Sequence, residues 1–214
     1  MVNLLRLLSI YVMPLLILIP IIAGIIKYRH LTTALKLIFY LMLFYAIMNG
    51  IGAVLLVQHK SAMIYTDITA FIDFPVISTF YILILNRKWR TPLLIVAIVY
   101  AIFWIGDQFI EANNTVNVYP IIYESIFMML YAIIYMNQQT QTNVEKRWGG
   151  NSYNWINSGF FIYVASTLLF FTFYNLILKV HLNPAFFFVL FIINDVTLAL
   201  QYILFSIGFN KCRQ

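Results

Sequence analysis

Three carboxylic acids stand in stretches of sequence that are otherwise almost pure hydrocarbon. Asp73 sits within Thr-Ala-Phe-Ile-Asp-Phe-Pro-Val-Ile, Glu124 within Ile-Ile-Tyr-Glu-Ser-Ile-Phe, and Asp195 within Phe-Ile-Ile-Asn-Asp-Val-Thr-Leu. An ionisable side chain in hydrocarbon costs about 2.5–3.5 kcal/mol on insertion scales, so each needs a compensating partner. Two kinds of chemistry compensate it: a neutral acid can hydrogen-bond between helices, or a carboxylate can hold a cation. The acids Asp67, Asp107 and Glu111 fall nearer the ends of apolar blocks, where water reaches them.

Other polar residues repeat at helical spacing beside these acids. Tyr65, Thr69 and Asp73 follow at i, i+4 and i+8, so they share one helix face. Pro75 cannot donate a backbone hydrogen bond, which frees the carbonyl of Phe71 one turn away. Glu124, Met128, Tyr131 and Tyr135 form a second stripe, and Asn194, Thr197 and Gln201 a third. Asn49 stands in a further apolar block. The candidate ligand- or ion-binding set is therefore Asp73, Glu124, Asp195, Asn49, Thr69, Asn194 and Gln201. The alternative role for each is a hydrogen bond that holds two helices together.

Other chemistries find little support. His30, His59 and His181 lie near block ends on different sides, so no metal cluster forms. There is no phosphate-cradling glycine loop, no Ser/His/Asp arrangement and no HExxH box. No catalytic residue, cofactor or metal is expected, and nothing points to nucleic acid. Asn113-Asn114-Thr115 matches a glycosylation sequon, best read as chance. Cys212 alone excludes an internal disulfide and reads as a free thiol of the tail, or as an acylation site at the membrane surface.

The elements that must position these residues are membrane spans. Of 214 residues, 63% are apolar and 9% charged, against about 25% charged in a soluble domain. Seven stretches stay apolar for the roughly 20 residues that a bilayer requires: about 7–26, 34–57, 62–85, 92–110, 119–137, 153–178 and 184–208. Pro14, Pro20 and Pro75 interrupt the first and third. Pro120 and Pro184 sit at helix starts, where a missing N–H is harmless. The polar segment from Asn137 to Ser152 is the longest connection, and Asn151 or Ser152 can cap the helix after it. The expectation is an all-α, polytopic seven-transmembrane-helix bundle forming a single domain over residues 1–214.

Lys and Arg set its orientation, because positive loops stay in the cytoplasm. One set of loops carries Lys27, Arg29, Lys36, Arg87, Lys88, Arg90, Lys146, Arg147, Lys211 and Arg213; the other carries only Arg6, Lys60 and Lys179. Ten against three, with an odd number of spans, predicts N-out/C-in. Trp89 and Trp148 beside the basic clusters fit an interfacial aromatic belt. Six of the seven acids then occupy the middle or outer half of the bundle, with no Lys or Arg buried beside them.

Known seven-helix families can be tested against these residues. Helix 7 lacks the lysine of a retinal protein, and there is no Pro-Gln pair of a PQ-loop carrier. From Tyr153 the chain reads Tyr-Asn-Trp155-Ile156-Asn157-Ser158-Gly159-Phe-Phe-Ile-Tyr163. This resembles the start of helix 6 in an uncharacterised family of bacterial, Bacteroidota-type, seven-helix membrane proteins. Asp73 and Glu124 also fall where that family tends to place acids. Asn49 stands where relatives often carry an acid, and Gln201 where they often carry a lysine. The resemblance implies residence in the bacterial cytoplasmic (inner) membrane and a sensory accessory role. The partner would be a sensor histidine kinase or another signalling membrane protein, with the lipid bilayer around both. Trp155, Asn157, Ser158, Lys146 and Arg147 are the candidate partner contacts. The rival readings are a small secondary transporter and, less favoured, an intramembrane lipid enzyme.

Overall fold

The computed structural model describes residues 13–58, 63–110, 118–142, 148–180 and 184–212. Helix α1 is interrupted at Ile17, running Met13–Leu16 and then Leu18–Lys27. It is followed by α2 (Thr33–Val57), α3 (Met63–Ile84), α4 (Arg90–Ile110), α5 (Val118–Thr142), α6 (Ser152–Val180) and α7 (Pro184–Asn210). Short 3-10 turns occupy Tyr28–His30, Arg87–Trp89 and Trp148–Gly150, and no strand occurs among the described residues. The break in α1 has a local cause. Pro20 offers no N–H to the carbonyl of Leu16, and its ring crowds that same turn. By contrast, α3 continues unbroken through Pro75.

Among the described residues, five helices are long and apolar enough to cross a membrane, over Thr33–Leu55, Arg87–Gly106, Tyr119–Gln141, Ser152–Phe173 and Val189–Asn210. In α3 the apolar stretch Ile68–Ile84 is shorter. The outer surface is hydrocarbon: on α4 alone, Leu94, Ile95, Ile98, Val99 and Ile102 are all exposed, Ile102 to 65%. A face of that kind requires lipid as its solvent. The chain is all-α with the character of an integral membrane protein.

The helices close a ring in the order α1–α2–α3–α5–α6–α7, with α7 returning to α1 and α4 packed outside against α3 and α5. The tightest seam is α6 on α7. A Cβ on Gly159 would lie 2.8 Å from Phe205 Cε1, and one on Gly208 would lie 2.9 Å from Ile156 Cδ1. Each helix thus drives a large side chain over the other's glycine, the close approach that small residues permit between membrane helices. Ser152 beside Cys212, and Thr167 beside Asn194, extend the same antiparallel register.

One end of the ring gathers the basic residues. Thr32 Oγ1 bonds the Tyr153 hydroxyl at 2.7 Å, joining the start of α2 to the start of α6. Gln138 Oε1 accepts the Asn86 N–H at 2.8 Å, and Gln138 Nε2 donates to the Ile84 carbonyl at 3.4 Å. Those bonds satisfy backbone groups that the end of α3 leaves orphaned. They also explain why α5 runs on to Thr142 through a polar stretch, where apolar character alone predicts an end near 137. At the start of α6, Asn151 Oδ1 accepts the Tyr153 N–H at 3.0 Å, so Asn151 is the cap. Lys27, Arg29, Lys36, Arg87, Lys88, Arg90 and Lys211 all sit on helix ends and turns at this end. Cys212 is a free thiol, as expected, but a buried one: it is 8% exposed, with Sγ 3.5 Å from Ser152 Oγ. The sequon, His59, His181, Glu111, Arg6, Lys60, Lys146, Arg147 and Arg213 lie outside the described residues, as do the side chains of Tyr65, Asp67, Asp107 and Lys179.

Candidate functional site

The middle of the ring holds a cavity of about 280 Å³. Among the described residues, five helices line it, and neither α1 nor α4 contributes. On α3 the lining residues Thr69, Ala70, Asp73 and Ile77 follow the spacing of one helix face. On α5 they are Ile121, Glu124, Ser125 and Met128, again one face. Asn49 enters from α2 one turn after Tyr45, and Gln201 from α7 beside Tyr202. Phe160, Tyr163, Val164, Thr167 and Phe171 form the α6 wall.

Two carboxyls therefore share one space. Glu124 is 8% exposed and lies within electrostatic range of Asp73. The Tyr45 hydroxyl is a hydrogen-bonding neighbour of Asp73, yet Asp73 Oδ1 is buried and has no hydrogen-bond partner. Glu124 neighbours Tyr100, whose hydroxyl donates to the Ala70 carbonyl at 2.9 Å. A phenol has one proton to give. That proton is committed to the backbone of α3. The arrangement is two carboxyls in one space, one of which, Asp73, has an oxygen unanswered. Among the described residues, no Lys, Arg, His or Cys lines the cavity.

Of the seven binding candidates read from sequence, the cavity unites five: Asp73, Glu124, Asn49, Thr69 and Gln201. Asn194 stands one layer back, its Oδ1 accepting the Thr167 hydroxyl at 3.2 Å. Asp195 is not among the lining residues. It lies three residues before Leu198, which does line the cavity, about 4.5 Å further along α7 at 1.5 Å per residue. The phenols Tyr45, Tyr163 and Tyr202 are the residues that sequence reasoning missed. Their signal was spacing: Tyr45 precedes Asn49 by four, and Tyr163 precedes Thr167 by four.

The candidate partner contacts take a different place. Asn157 is 1% exposed; its Oδ1 accepts the Tyr81 hydroxyl at 2.8 Å and its Nδ2 donates to the Ala132 carbonyl at 3.3 Å. It ties α6 to α3 and α5 inside the bundle, and offers nothing to a partner at the surface. Trp155 Nε1 donates to the Gly149 carbonyl at 2.9 Å, and Asn154 Nδ2 to the Trp148 carbonyl at 2.8 Å, strapping the 3-10 turn onto α6. Asn154 Oδ1 in turn accepts the Tyr135 hydroxyl at 2.9 Å. Ser158 is half-buried.

No family model, curated protein or solved structure matches this chain. The functional reading rests on the site itself.

Proposed function

We propose that the chain crosses the bacterial cytoplasmic membrane seven times, N-out/C-in, and that its central cavity is a receptor-like site for positive charge. The charge is a proton, an inorganic cation or a small organic cation. The observation that carries this reading is Asp73 Oδ1, buried and unpartnered in a cavity that holds a second carboxyl and no basic side chain. Carboxyl oxygens left without partners in a low dielectric call for a compensating positive charge.

The continuity of the lining helices favours a receptor over a carrier. Midplane transport sites are typically built from discontinuous helices whose broken ends face the substrate. Here the interrupted helix is α1, which does not reach the cavity, whereas α2, α3, α5, α6 and α7 run through it unbroken. A relay toward the basic end is also available. Phe160 lines the cavity and packs on Phe205, with ring centroids 4.9 Å apart, and on Tyr81 at 6.3 Å. One turn on, Tyr81 meets Asn157, and beyond it the Tyr135–Asn154 bond holds the turn at Trp148. In this reading the basic end meets a separate signalling membrane protein such as a sensor histidine kinase, or anionic lipid headgroups.

The test is thermal stability of wild type, Asp73→Asn and Glu124→Gln across pH 5 to 8 and in several inorganic and organic cations. The wild type should respond to pH or cation, and each amide should flatten that response. Identical behaviour of all three proteins would reduce the acids to packing contacts.

A further inference from the structure

The cavity's walls indicate which positive charge it takes, an inference that rests on the reading of the cavity as a site for positive charge. Size separates the candidates first. A desolvated inorganic cation sits among oxygens at about 2–2.6 Å, and calcium draws on six to eight of them. A space of about 280 Å³ far exceeds such a shell, so its oxygens could not close on a single desolvated ion without leaving most of the space to be filled. It lies just under the roughly 300–1,000 Å³ of ordinary small-molecule pockets. At about 30 Å³ for each water-sized group it admits about nine non-hydrogen atoms.

The walls separate them further. Phe160, Tyr163 and Phe171 on α6, Tyr45 on α2 and Tyr202 on α7 give the cavity aromatic surface from three helices. Aromatic faces attract a soft organic cation within about 6 Å of the ring, most strongly where water is excluded. They repay a small hydrated ion less, because it must first shed its water. The shared space sets the charge. Two carboxyls in one low-dielectric cavity resist carrying two charges, so the pair presents a single negative charge, whose open oxygen is Asp73 Oδ1.

We infer that the cavity binds a small organic ammonium monocation of up to about nine non-hydrogen atoms. Its nitrogen lies at Asp73 and its carbon substituents lie against Phe160, Tyr163 and Tyr202.

The experiment uses the full-length protein in detergent or lipid nanodiscs and follows its thermal midpoint in titrations at matched ionic strength. The probes are tetramethylammonium and choline chlorides, sodium, potassium and calcium chlorides, and 3,3-dimethyl-1-butanol as the uncharged isostere of choline. A saturable rise with the ammonium probes is expected, absent with the isostere and with the inorganic salts. Asp73→Asn should weaken the apparent affinity at least tenfold. Should that variant fail to fold, Tyr163→Leu and Tyr202→Leu carry the test, each weakening tetramethylammonium at least threefold. Equal ammonium responses in wild type and variants would overturn the inference. So would a response to pH or inorganic cations that depends on Asp73 while the ammonium probes do nothing; that result leaves the acidic receptor site standing. Silence toward pH and every cation would overturn both.

Discussion

Replacing Asn157 by alanine should be among the more damaging single substitutions in the bundle, and its effect should depend on Tyr81. Asn157 is 1% exposed and Tyr81 is fully buried, and their side chains meet at 2.8 Å. The truncation strands two groups: the Tyr81 hydroxyl and the Ala132 carbonyl that Asn157 Nδ2 now satisfies. A stranded buried polar group costs about 1–3 kcal/mol, while interhelical hydrogen bonds in membrane proteins couple by about 0.6 kcal/mol on average and up to about 1.7. We expect Asn157→Ala to cost about 2–3 kcal/mol and Tyr81→Phe about 1 kcal/mol. The double variant should cost about 1 kcal/mol less than the sum, because the Tyr81→Phe change removes the hydroxyl that would otherwise be left unpaired. Reversible unfolding by a denaturing detergent in mixed micelles, followed by far-UV circular dichroism, measures all four proteins. Additivity within about 0.3 kcal/mol would refute the clamp. A silent Asn157→Ala would return the residue to the surface and to a partner.

Gly159→Ala should destabilise by about 1–3 kcal/mol through overpacking against Phe205. Gly50→Ala, where an added Cβ meets nothing within 4 Å, should be neutral or stabilise by up to about 1 kcal/mol; the same denaturation series checks both. A reporter fused after Gln214 should be active only in its cytoplasmic form, whereas a periplasmic signal there with all spans intact would invert the topology. Cys212, 8% exposed, should resist a maleimide in the folded protein and react on denaturation. Fast stoichiometric labelling of the native state would mean that the end of α7 opens.

The spans were legible because lipid imposes its demand locally: each helix must stay apolar along its own length, whatever its neighbours are. The α2, α3 and α7 limits accordingly fall within a residue or two of the apolar blocks, and the proline in α1 marks its break. Where a tertiary bond decides, local character misleads. The end of α5 is tied to α3 by Gln138, a contact that apolar character does not reveal, and Gln141 adds a local bond to Asn137 one turn back. The acids and amides facing inward were visible as exceptions in hydrocarbon. Which of them meet was not, because that depends on how the helices slide along one another. Asn194 and Asp195 have the same polar signature as Gln201, yet sit about one turn beyond Leu198, the cavity-lining residue of α7 nearest to them. The phenols escaped notice for another reason: with 15 tyrosines in the chain, a single Tyr carries little information until its neighbours are known.

The Trp155–Gly159 stretch shows how a distinctive motif can belong to the scaffold. Each member but Ser158 has a structural task in reach: Trp155 holds the Trp148–Gly150 turn, Ile156 fills the gap over Gly208, Asn157 clamps three helices, and Gly159 admits Phe205. A partner arriving at the basic end therefore finds most of the motif already occupied. What it meets instead is Trp148, 51% exposed and stacked edge-on to Trp155, on a turn strapped to α6 by Asn154. Asn154 also anchors Tyr135, two turns along α5 from Met128 at the cavity. The exposed tryptophan and the acidic cavity are thus joined through α5 and α6 by side chains that are themselves buried. On the proposed receptor reading, Asn154 and Asn157 offer one route from the cavity to that surface and also hold the bundle together, so a signalling defect without loss of stability should map to Trp148 before it maps to either asparagine.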